Sequence, residues 1–134
     1  GMTASVKGQP WLEATATRAV MAALEAAGGA DCARFVGGCV RNSLMGRAVD
    51  DIDIATRLTP EQTMAALKTA GLKAVPTGVE HGTVTAVSER APYEITTLRR
   101  DVATDGRHAV VAFTADWRAD AARRRGWWSA WARR

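Results

Sequence analysis

The sequence predicts an α+β domain built on a mixed β-sheet with flanking helices. Three observations lead there. Helix-period and strand-period segments alternate through the first 70 residues in the order helix, strand, helix, strand, helix. Three short strand-like segments then follow one another between residues 72 and 98. A Gly37-Gly38 pair sits where the first strand must turn sharply into the second helix.

Taken in order, Pro10 suits a helix start, where its missing N–H costs nothing. Leu12, Ala16, Ala19, Val20, Ala23 and Ala27 recur at helical spacing until Gly28-Gly29 ends the run. Ala33 to Val36 is a short buried strand leading into the glycine pair, and Val40 to Leu44 a short helix after it. Ile52-Asp53-Ile54-Ala55 alternates as a strand does. Thr59-Pro60-Glu61-Gln62 has the form of a capping box, opening a helix that carries Met64, Leu67 and Ala70 and stops at Gly71. Leu72 to Val75, Thr83 to Val87 and Tyr93 to Leu98 read as strands, with Pro76 to Gly82 and Ser88 to Pro92 as turns. Arg99 to His108 reads as a polar, mobile loop, and Val110 to Phe113 as a short edge element.

At 134 residues the chain has room for one domain with a modest core. Gly1-Met2 reads as an expression scar ahead of the true start. No apolar run approaches the roughly 18 residues that suggest a membrane span, and no charged start leads into an apolar block, so neither membrane nor export is expected. Cys32 and Cys39 lack metal-ligand spacing and fit reduced thiols in a cytoplasmic protein. The net charge of +4 is unevenly placed. Residues 1–116 hold 12 Lys/Arg against 13 Asp/Glu, whereas residues 117–134 hold six Arg against one Asp. The globular part is therefore not a uniformly basic nucleic-acid binder.

The chemistry concentrates in two places. Asp51 and Asp53, two residues apart on a strand, point to one side roughly 7 Å from each other. Ile52 and Ile54 fix the opposite side in the core. Such a carboxylate pair suits Mg²⁺ or Mn²⁺ and the two-metal clamp used in phosphoryl displacement. Upstream, Gly37 and Gly38 let backbone approach a bulky group, and Arg41 offers a planar fork to phosphate oxygens beside N–H groups at a helix start. Strand alternation places Glu94, Thr96 and Leu98 opposite Tyr93, Ile95 and Thr97. If that strand neighbours the Asp53 strand, Glu94 is a third carboxylate, able to hold a metal or accept a proton. His81 reads as a surface or capping residue.

Phe35-Val36-Gly37-Gly38-Cys39-Val40-Arg41-Asn42 followed by Asp50-Asp51-Ile52-Asp53-Ile54-Ala55-Thr56 resembles the head domain of tRNA CCA-adding enzymes and bacterial poly(A) polymerases, within the DNA polymerase beta superfamily of nucleotidyltransferases. Tyr93 to Arg99 and Asp105-Gly106-Arg107-His108 resemble later motifs of that family in the same order, so the resemblance covers about residues 10 to 124. It implies a nucleotidyltransferase head domain over 8–116, using Mg²⁺ (or Mn²⁺) on Asp51 and Asp53, with Asp51, Asp53 and Glu94 catalytic. The partners it implies are a nucleoside triphosphate such as ATP and an RNA 3′ end, tRNA above all. Gly37, Gly38, Arg41, Arg99, Asp101, Arg107 and Arg124 are the implied nucleotide contacts, the 99–108 loop closing over the incoming nucleotide. Asn42 departs from the family, which usually has aspartate there, and Ala109 stands where proline is common.

After Asp120-Ala121-Ala122-Arg123-Arg124 the resemblance stops. Residues 117–134 are an atypical tail in place of the start of a neck domain, and residues 125–134 hold three Trp, three Arg and no acid. They read either as a stacking surface for nucleic acid or as the end of a truncated or frameshifted frame, the second being favoured. On a helix Trp127 and Trp131 would share a face, with Trp128 beside them, that packs on the head or on a second copy of the chain. Three functions stay open: a truncated nucleotidyltransferase of the CCA-adding or poly(A) type, a nucleotide-binding module or part of a split enzyme, and an inactive fragment.

Overall fold

A computed structural model describes the backbone of residues 3–5, 9–46, 51–104, 109–123 and 131–133, and the side chains of 9–46, 51–102 and 111–123. The chain runs β1 (Thr3–Ser5), α1 (Pro10–Glu13), α2 (Thr15–Gly28), β2 (Ala33–Val36), α3 (Gly38–Leu44), β3 (Ile52–Thr56), α4 (Pro60–Thr69), β4 (Lys73–Gly78), a 3₁₀ turn (Val79–His81), β5 (Thr83–Ser88), β6 (Ala91–Thr97), β7 (Arg99–Thr104), β8 (Ala109–Phe113), α5 (Trp117–Arg123) and β9 (Trp131–Arg133). Seven strands form one sheet in the order β1-β9-β2-β3-β6-β5-β4, and β7 and β8 form a separate pair. The sheet is mixed: β3 runs parallel to β6, while β2–β3, β6–β5 and β5–β4 are antiparallel. This is the expected α+β architecture.

One face of the sheet carries Phe35, Ile54, Val84, Ala86, Tyr93 and Ile95, all buried against Leu12, Val20, Met21 and Leu24 of the first two helices and Leu67 of α4. Trp11 meets Phe35 edge-on, with ring centroids 4.8 Å apart, and its indole N–H donates to Ser43 Oγ at 2.7 Å. That bond ties α1 to α3 and holds the junction after β2 in place. Tyr93 reaches the same layer, its hydroxyl 2.9 Å from Thr17 Oγ1. The capping box forms as expected: Thr59 Oγ1 accepts from the Gln62 amide at 3.2 Å, and Gln62 Oε1 from the Thr59 amide at 2.9 Å.

Several expectations need correction. The first helix is two, broken at Ala14, whose ψ of 138° is extended. The β4 strand runs on through Pro76 to Gly78, with an irregularity between Val75 and Gly78. Proline fits there because β4 is a sheet edge. The turn after β5 is only Glu89-Arg90, both at positive φ (49° and 70°), as a two-residue hairpin loop demands. The segment from Arg99 is not a loop but β7, paired with β8 from Arg99↔Phe113 to Thr104↔Ala109. Its polar composition reflects a hairpin standing off the core. Backbone of Trp131–Arg133 is strand, pairing with β2 and β1, rather than helix. Trp127 and Trp128 lie outside the described residues.

The second face of the sheet is only partly covered. Trp117 of α5 packs on Val36, Ala55 and Leu98. Its ring lies under the Arg34 guanidinium at 4.1 Å, and its N–H donates to the Asp31 carbonyl at 3.2 Å. Arg34, itself buried, is held by the Asp31 carboxylate through two bonds of 3.0 and 2.8 Å. Farther along this face, beyond the reach of Trp117, the described residues leave the sheet open.

Candidate active site

The open part of that face is a cleft of roughly 290 Å³ lined by Asp51, Ile52, Asp53, Thr85, Pro92 and Glu94. Strand register builds it. Val36 on β2 pairs with Asp53 on β3, Asp53 with Glu94 on β6, and Glu94 with Thr85 on β5. Directly paired residues share a face, so three neighbouring strands present Asp53, Glu94 and Thr85 in one row, about 4.8 Å per strand. Asp51, just ahead of β3, joins from the strand's entrance. Asp51 and Glu94 are exposed and Asp53 half-buried, while Ile54 and Ile95 behind them are fully in the core. The structure thus brings together the three carboxylates singled out in the sequence.

The glycine pair closes one end of the row. Gly37 takes φ 70°, and a Cβ built there would sit 3.5 Å from Asp53 Oδ2. Backbone therefore lies against the carboxylate with no side chain between them. A Cβ on Gly38 would lie 3.9 Å from an Arg41 guanidinium nitrogen, so the Arg41 head folds back over the junction. Cys39 fastens this turn from beneath: its thiol donates to the Val36 carbonyl at 3.3 Å. Burial first, with the Asp53 charge adding to it, pushes that thiol above its usual range. Cys39 is a buried packing group in this turn.

The remaining site expectations fall elsewhere. Arg99 lines a different recess, with Glu80, His81, Val111, Ala112 and Phe113, and its amide is anchored by Asp120 Oδ1 at 2.9 Å. Asp101 is exposed and faces Arg123 Nε at 3.4 Å. Arg107 and Arg124 lie outside the described residues. Among the described residues no three His, Cys, Asp or Glu side chains converge to hold a metal unaided. The donor set fits a hard cation that takes two carboxylates here and completes its shell with water and phosphate oxygens, the habit of Mg²⁺.

Sequence reasoning missed the buried group of Arg34, Trp117 and Asp120, although Trp117 and Asp120 stand at helical spacing. It also missed Thr85, whose position opposite Glu94 follows only from the pairing of β5 with β6.

Residues 33–125 match the family model described as the poly A polymerase head domain. The chain belongs to this family. It is 49% identical over 92 residues to the CCA tRNA nucleotidyltransferase 1, mitochondrial, of Danio rerio, and 50% identical over 92 residues to that of Homo sapiens. Each match covers 68% of this chain and 21% of the relative. The chain thus spans about a fifth of the length of these curated relatives. Among solved structures, the CCA-adding enzyme of Bacillus stearothermophilus in complex with CTP matches with a TM-score of 0.64 and 32% identity, over 83% of this chain and 26% of that one. A tRNA-processing enzyme in an apo form matches with a TM-score of 0.54 and 27% identity, over 75% of this chain and 26% of that one. The carboxylate row and the glycine junction both lie inside the poly A polymerase head domain match. No described helix is long and apolar enough to cross a membrane.

Proposed function

We propose that this head domain transfers a nucleotide from a nucleoside triphosphate to the 3′ end of an RNA, with tRNA as acceptor and CCA addition as the reaction. The observation that carries the reading is the in-register pairing of Asp53 with Glu94, set against the bare backbone of Gly37. Gly37, Gly38 and Arg41 hold the outer phosphates. Asp51 and Asp53 hold Mg²⁺ or Mn²⁺, which when bound would neutralise triphosphate oxygens and make the acceptor hydroxyl more acidic. Glu94 takes the proton of that hydroxyl. The acceptor oxygen bonds to the α-phosphorus while the bond to the β-phosphate breaks, and pyrophosphate leaves toward Arg41. Arg107 and Arg124 enter this reading as phosphate contacts on the strength of their motifs. The β7–β8 hairpin, carrying Arg99 and Asp101, is the element that would close over the nucleotide.

The names of the relatives favour CCA addition over poly(A) synthesis. A cytoplasmic location rests on the two buried free thiols; the vertebrate relatives are named as mitochondrial proteins. The test uses the 134-residue chain and its Asp53→Asn variant. Calorimetry with CTP or ATP in Mg²⁺ should give metal-dependent binding that weakens at least about tenfold in the variant, or about 1.4 kcal/mol. Equal binding by both proteins would sink the site assignment. Binding without extension of a tRNA that lacks its 3′ terminus would instead favour a nucleotide-binding module.

A further inference from the structure

The row of residues across the sheet does not end at Glu94. Thr85 follows on β5, paired directly with Glu94 and lining the same cleft. Its hydroxyl lies 2.8 Å from the hydroxyl of Thr77 on β4. Two hydroxyls in contact share one proton between them and keep one O–H to donate and lone pairs to accept. The pair therefore offers a donor and an acceptor at one point, on the open side of the carboxylates.

Displacement at phosphorus sets what belongs there. The attacking and leaving oxygens lie roughly in line across the transferred phosphoryl group. The phosphate-holding residues Gly37, Gly38 and Arg41 stand on the β2 side of Asp53. The attacking hydroxyl must then approach from the β6 and β5 side, over Glu94 and Thr85. A second threonine pair, Thr83 and Thr96 at 3.4 Å, lies one row away beside Ala55, where Trp117 closes the face. Of the two pairs, the Thr77–Thr85 pair is the one with a member lining the cleft.

We propose that the Thr77–Thr85 hydroxyl pair binds the 2′-hydroxyl of the acceptor's terminal ribose and so makes the site prefer RNA to DNA ends. The proposal rests on the nucleotidyl-transfer reading above. A 2′-hydroxyl both donates and accepts, which is the group such a pair complements and the group that separates RNA from DNA. Neither threonine is a metal ligand or a phosphate contact in that reading.

The experiment measures binding of a short single-stranded RNA, and of the same oligonucleotide with a 2′-deoxy 3′-terminal residue, by fluorescence anisotropy in Mg²⁺ with a saturating α,β-methylene analogue of CTP. Wild type should bind the ribose end about fivefold to tenfold better, the value of a lost neutral hydrogen bond. Thr85→Val keeps the β-branched shape on the strand and should bind both ends alike. Thr85→Ser should restore the preference. A ribose preference that survives in Thr85→Val and in Thr77→Val, or its absence from wild type, overturns the proposal. Binding of the CTP analogue is measured alone on wild type and on Arg41→Ala. If that binding is equal in the two, the transfer reading has failed at the phosphate end, a result distinct from failure at the threonines.

Discussion

At the scale of single residues, Gly37 has little freedom to change. Its φ of 70° is a region that L residues visit at a cost, and its open side faces Asp53 Oδ2. Gly38, within α3, carries neither constraint. We expect Gly37→Ala to lose about 1–2 kcal/mol of stability in urea titrations and to weaken Mg²⁺-dependent nucleotide binding. Gly38→Ala should do little to stability, and equal losses in the two variants would contradict the conformational argument. The three carboxylates were legible in the sequence because alternation is a property of the extended backbone, whatever the partner strand. Arg34 was not. A charged residue inside an apolar tetrapeptide has no visible reason until Asp31 and Trp117, one near and one 83 positions away, are seen around it. Thr85 was hidden differently: threonine in a strand is ordinary, and only cross-strand register makes it part of a site.

At the scale of elements, α5 and the β7–β8 hairpin form one unit. Asp120 is fully buried and accepts the Arg99 amide at the root of the hairpin. Trp117 holds the same helix to the sheet, and Arg123 meets Asp101 farther out. Removing the carboxylate in Asp120→Ala strands a partly buried N–H and should cost about 1–3 kcal/mol. Amide exchange at Arg99 should quicken, while exchange in α4, capped by its own Thr59-Gln62 pair, should stay at the global rate. An unchanged Arg99 amide would show that the hairpin does not depend on α5. Strands β2, β3, β5 and β6 and helix α4 were legible through caps and periodicity, as with Thr59 to Gln62. The β7 strand was not, because Arg99 to Asp101 are polar and its pairing with β8 is what makes it a strand.

At the scale of the whole molecule, β3 and β6 run parallel and set Asp53 against Glu94, two acids on adjacent strands with Asp51 nearby. Like charges placed opposite one another weaken a sheet. The pairing therefore carries a cost that a cation bound there would relieve. Glu94→Gln should raise the melting temperature in EDTA by a few degrees, equivalent to about 0.2–1 kcal/mol, and should shrink the further rise produced by Mg²⁺ with CTP. A variant no more stable than wild type in EDTA would show that the repulsion is already dissipated by solvent. These strands are also separated by α4 and two other strands along the chain, so no short segment holds both members of the carboxylate pair. Ligand that binds only the folded form adds stability, about 2.7 kcal/mol at a hundred times its dissociation constant. In a cell, the lifetime of this domain would then follow its supply of magnesium and nucleotide: a chain starved of both is the one most exposed to proteolysis.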